Sequence, residues 1–86
     1  MHLDEKLNAA ISLALAGDWD RAHRIVQDCG GSTACWIHAV LHKIEGDAWN
    51  SRYWYARTPE ASYEDFADPQ EELREIARRG GSGQSP

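Results

Sequence analysis

The chain has 86 residues, enough for one domain, and a domain of this size buries only about 60% of its unfolded surface, so its core is small. A formal net charge of −5 argues against a nucleic-acid partner, which needs a clustered basic face. The stretch from Ala9 to Ala16 is too short to cross a bilayer, so no membrane partner is expected either.

The first helix is expected from Asp4 to about Ala16, because Leu3, Leu7, Ala10, Ile11, Ala14 and Leu15 recur at helical spacing. Asp4 and Glu5 suit the positive end of its dipole, and they replace the basic and apolar regions of a secretory signal. Gly17 ends the helix, and Asp18 is placed to cap the next. The second helix runs to about Asp28, with Trp19, Ala22, Ile25, Val26 and Cys29 on its apolar face, and Gly30-Gly31 breaks it.

Ser32 or Thr33 is expected to cap a third helix that reaches about Glu45. Trp36, Ile37, Val40, Leu41 and Ile44 form its main apolar face, and Cys35 and Ala39 form a second face of small residues. A helix apolar on one side and small on the other fits between two neighbours. Gly46 stops it, and Asp47 caps a fourth helix carrying Trp49, Tyr53, Trp54 and Tyr55 before Pro59. The segment from Thr58 to Asp68 is acidic and broken, with one turn after Ser62. It reads as part of a solvated acidic connection reaching to Glu75. Asp68, Pro69 and Glu71 then mark a helix start, and a fifth helix is expected to about Arg79 with Leu73, Ile76 and Ala77 inward. The division expected is residues 1–58 for two helical hairpins, 59–79 for the acidic connection and capping helix, and 80–86 for a flexible tail rich in Gly and Ser.

Two segments echo each other at a spacing of 29 residues. Gly17-Asp18 aligns with Gly46-Asp47, Ala10 with Ala39, and Ala22 with Ser51. Small residues let paired helices approach closely, and each Gly-Asp pair ends one helix and starts the next. On these positions, together with Tyr55, the region from about residue 6 to 58 resembles the tetratricopeptide family. The spacing is shorter than that family's period of about 34 residues, and His38 and His42 stand where the family usually has Leu and Tyr. The segment from Trp36 to Tyr55 is also similar to a group of small uncharacterised bacterial proteins, a likeness that implies no activity. The first resemblance implies an all-α fold of antiparallel helix-turn-helix pairs with a C-terminal capping helix, and a protein-binding role. Two repeats are too few to close a core, so a homodimer is expected as well.

Two constellations could carry function. Trp49, Arg52, Tyr53 and Arg57 combine aromatic and Arg side chains as an interaction hot spot does; the competing reading puts part of that run in the core. His38, His42 and Glu45 lie at i, i+4 and i+7, a spacing that can bring two imidazoles and a carboxylate to one metal ion. The competing reading has the histidines packed between helices, bonded to Asp47 or a Tyr. His2 and His23 could add ligands, but nothing in the sequence locates them. No nucleophile arrangement, phosphate loop or HExxH pattern is present, so an enzyme is not expected, nor a resident cofactor. Cys29 and Cys35 are too few for a disulfide framework and wrongly spaced for zinc, which favours a reducing, cytoplasmic setting. The leading expectation is a protein–protein interaction module. The alternative is a metal- or small-ligand-binding helical protein.

Overall fold

The computed structural model describes residues 5–82, with side chains as far as Arg79. His2, Leu3, Asp4 and the tail residues 83–86 lie outside the described residues. Among the described residues five α-helices follow in order: α1 Glu5–Leu15, α2 Trp19–Gln27, α3 Ser32–Ile44, α4 Ala48–Tyr55 and α5 Pro69–Ser82, with a 3₁₀ turn at Tyr63–Asp65 before α5. The fold is all-α.

The two Gly-Asp pairs build the same turn twice. After α1 the Gly17 N–H donates to Ala14 O (3.1 Å) and the Asp18 N–H to Leu13 O (2.8 Å). After α3 the Gly46 N–H donates to Lys43 O (3.1 Å) and the Asp47 N–H to His42 O (2.9 Å). This is the Schellman closure, which needs a left-handed residue at its corner. Gly17 and Gly46 supply it at φ 91° and 83°. In each pair the Asp then accepts a backbone N–H of the next helix, Asp18 from Arg21 and Asp47 from Asn50. Caps of this kind contribute about 1 kcal/mol each. One dipeptide therefore ends a helix and starts the next, and α1 packs on α2 as α3 packs on α4.

Small residues sit where the helices come closest. Ala10, Ala22 and Ala39 are fully buried, and so is Ser51, whose hydroxyl donates to Ala39 O at 2.7 Å. The centre of the core is α3, which touches all four other helices. Ile37, Val40 and Leu41 have no exposed surface. Ile44, expected on the same face, is partly exposed, at 37%.

Helix α5 lies against α3 and α1 of its own chain. Leu73 and Ile76 fill the gap there, and Glu72 enters the core beside them with no exposed surface. Its carboxylate accepts from Trp36 Nε1 (2.7 Å), Tyr55 Oη (2.5 Å) and Lys43 Nζ (2.8 Å). Lys43 directs its other protons to the carbonyls of Tyr63 (3.1 Å) and Phe66 (3.0 Å). A buried ion pair is tolerable only when its remaining hydrogen-bonding capacity is met, and here it is. Burial first, and then the Glu72 carboxylate, push the Tyr55 hydroxyl pKa upward, so Tyr55 remains a donor.

Three expectations are corrected. The acidic segment is not solvated throughout, since Glu72 is one of the most buried side chains; the Lys43 charge makes that possible. Neither Ser32 nor Thr33 caps α3. Gly31 takes that position, and the Ser32 hydroxyl donates instead to Glu60 at 2.8 Å. Helix α5 continues through Gly80 and Gly81 to Ser82, beyond Arg79. At its start Asp68 caps as expected, accepting the Gln70 N–H at 2.9 Å.

Candidate metal centre

The i, i+4 spacing of His38 and His42 puts both rings on one side of α3, stacked with centroids 5.1 Å apart. The same spacing on α2 places Trp19 and His23 together, stacked at 4.7 Å and 9°. Where α2 packs on α3, the two pairs meet. His23 Nε2 lies 3.0 Å from His38 Nε2, with the rings perpendicular. One nitrogen from each of His23, His38 and His42 falls within 4.8 Å of the other two. Trp19 holds α2 in register by donating its indole N–H to Leu41 O at 2.6 Å. Trp54 of α4 closes the other side, stacked on His38 at 4.0 Å and 12°. The result is a three-histidine cluster between two indoles.

Glu45 stands behind it. Its carboxylate meets His42 Nδ1 at 2.5 Å. A neutral imidazole that donates from Nδ1 leaves its Nε2 lone pair available to a ligand. This is the carboxylate–histidine arrangement that orients metal-bound imidazoles and raises their basicity. In this arrangement Glu45 supports one histidine, and the imidazole that joins His38 and His42 is that of His23; the carboxylates of Glu45 and Asp47 form a second group with His42 alone. Asp47, the other partner considered for His42, is engaged elsewhere, accepting the Asn50 backbone N–H at 3.2 Å and Asn50 Nδ2 at 2.7 Å. Those bonds keep its pKa below the ordinary carboxylate value.

The electrostatics favour neutral rings at His23 and His38. Burial, then the neighbouring His23 and His42, lower the His38 pKa to about 4. Burial and His42 also lower that of His23, against smaller opposing effects of Glu45 and Asp20. Near neutral pH His23 and His38 are therefore uncharged, one donating to the other across their 3.0 Å contact, and deprotonated imidazole is the form that binds metals. In a tetrahedral site with metal–nitrogen bonds of about 2.0–2.1 Å, adjacent nitrogens stand roughly 3.3 Å apart. The His23–His38 pair stands at 3.0 Å, close to that value, and all three nitrogens lie within 4.8 Å of one another.

The aromatic run divides between core and surface. Tyr55 is buried and Trp54 is half-buried on His38, whereas Trp49 is 77% and Tyr53 43% exposed. Trp49 and Tyr53 stack at 6.5 Å, and the Arg57 guanidinium lies 4.2 Å over the Tyr53 ring. Arg52 leaves this group. It pairs with Glu64 at 2.7 Å and covers the Tyr63 ring.

The sequence pattern marked His38, His42 and Glu45 but could not locate His23. The only signal was a His one helical turn after a Trp on the apolar face of α2. No helix among the described residues is long and apolar enough to cross a membrane. No protein-family model, curated protein or solved structure matches the chain.

Proposed function

We propose that this protein binds a divalent transition-metal ion through His23, His38 and His42, with Glu45 orienting His42. The carrying observation is the convergence of three imidazole nitrogens, contributed by two helices, within 4.8 Å of one another. Imidazole ligands suit Zn²⁺, Ni²⁺ and Cu²⁺, and a tetrahedral arrangement suits Zn²⁺ best. The test is a titration of the untagged chain with Zn²⁺, followed by histidine-ring NMR and thermal melting. One equivalent should shift the ring signals of all three histidines. At a free metal concentration a hundredfold above Kd the native state gains about 2.7 kcal/mol, which raises Tm by roughly 10 °C or more for a domain this small. Unchanged ring signals at micromolar metal would remove the proposal. A cytoplasmic setting belongs to the same reading, supported by the free thiols of Cys29 and Cys35.

One observation favours a second reading, a protein-binding helical repeat of tetratricopeptide type. It is the exposed stack of Trp49 and Tyr53 under Arg57. The partner this reading names is a second copy of the chain, because a flat aromatic stack is complementary to itself across a two-fold axis. Light scattering over a concentration range tests it. A dimer that Trp49→Ala returns to monomer supports the reading, and a monomer at every concentration ends it.

A further inference from the structure

We infer that the metal held by the three histidines keeps one coordination position for a non-protein ligand, filled by water and exchangeable for a small monodentate anion. This rests on the metal-binding reading proposed above. The argument is one of ligand supply. Among the described residues, no fourth ligand atom joins the His23, His38 and His42 nitrogens within the same 4.8 Å. The nearest carboxylate, Glu45, is held on His42 Nδ1 at 2.5 Å, the nitrogen that points away from the cluster when Nε2 binds. It belongs to a separate group with His42 and Asp47 and is not in the group with His23 and His38. Asp47 likewise lies with His42 and Glu45 but not with His23 and His38, and it accepts both Asn50 bonds as the cap of α4. The groups flanking the rings, Trp19 and Trp54, carry no ligand atom; the Trp19 indole N–H is already spent on Leu41 O.

Three protein ligands and an exchangeable water form the open type of zinc site, whereas structural sites are closed by four. The exchange side is that of His23, the least buried of the three rings. Charge sets the ligand class. Three neutral imidazoles leave the full cationic charge on the metal, and Glu45, whose side chain is 40% exposed, offsets it only in part. An anion is therefore preferred to a neutral donor of similar size.

The experiment uses the untagged full chain loaded with Co²⁺, whose visible ligand-field absorption reports coordination number and ligand identity. Sodium azide is the probe. The expected result is one equivalent of bound Co²⁺ with a tetrahedral spectrum, followed by a saturable shift of those bands as azide replaces the water. A tetrahedral spectrum unmoved by a large excess of azide would overturn the open position while leaving the three-histidine site intact. No Co²⁺ spectrum at all would overturn both.

Discussion

Helix α3 carries two polar clusters on roughly opposite faces, and they differ in what they leave unspent. On one face Trp36 and Lys43 meet Glu72, and every partner is committed. The carboxylate takes three donors, and Lys43 takes the carboxylate and two carbonyls. On the other face His38 and His42 meet His23, and the bonding is sparse: one imidazole–imidazole contact and one carboxylate. A saturated buried network rigidifies a fold. Imidazole rings gathered with so few bonds among them are what a ligand can use. The Glu72 cluster locks α5 in place, and the sparser histidine cluster is the one that supports the proposed metal binding.

The largest effect should come from breaking the saturated side. Glu72→Ala leaves Lys43 buried without its counter-ion, an arrangement that costs roughly 3–5 kcal/mol. Urea unfolding followed by tryptophan fluorescence should show that loss, a large part of a total stability of about 5–15 kcal/mol. A loss below about 1 kcal/mol would mean that water reaches the pair.

Next is the pH response of the metal-free protein, which should come from the histidine side. The folded pKa of His38, about 4, lies below its ordinary 6.5, and that of His23 is lowered too. Above pH 6.5 both folded and unfolded rings are neutral, and stability is independent of these groups. As pH falls from 6.5 toward 4 the unfolded chain binds protons that the fold excludes, and stability drops. Melting temperatures across that window, measured in chelator, should fall for the native chain and fall less for His38→Gln. Equal slopes would show that His38 is not a source of the loss.

Removing the support behind His42 should separate binding from folding. Glu45→Gln should weaken Zn²⁺ affinity about 10–100-fold, as loss of outer-shell partners does, with little change in metal-free Tm. Calorimetric titration measures the first and a melt the second. A large fall in Tm with unchanged affinity would turn the assignment around. Smaller again is Gly46→Ala, about 1 kcal/mol, because an L side chain is strained at φ 83°. The smallest is Trp49→Ala. With its side chain mostly in solvent, stability should move by less than about 0.5 kcal/mol, and a larger change would place Trp49 in an interface.

Much of the local architecture was legible because it depends on neighbours in the chain. Gly17-Asp18 and Gly46-Asp47 announce a stop and a cap, and both form as their chemistry requires. Asp68 and Pro69 announced the start of α5. The i, i+4 pair His38 and His42 was legible for the same reason, as was the carboxylate three residues later. Ser32 misled, because a hydroxyl near a helix start can bond a distant Glu60 as readily as the local backbone.

The sequence by itself determined five helices, their turns and the side of α3 on which two histidines stand, since all of these follow from contacts within about one helical turn. Only the tertiary structure decided that His23 of α2 completes the cluster, that Trp54 of α4 covers it, and that Glu72 of an acidic helix belongs in the core. Each joins residues 15 or more positions apart. Helical periodicity states which way a side chain faces on its own helix, but not which neighbour will be there to meet it.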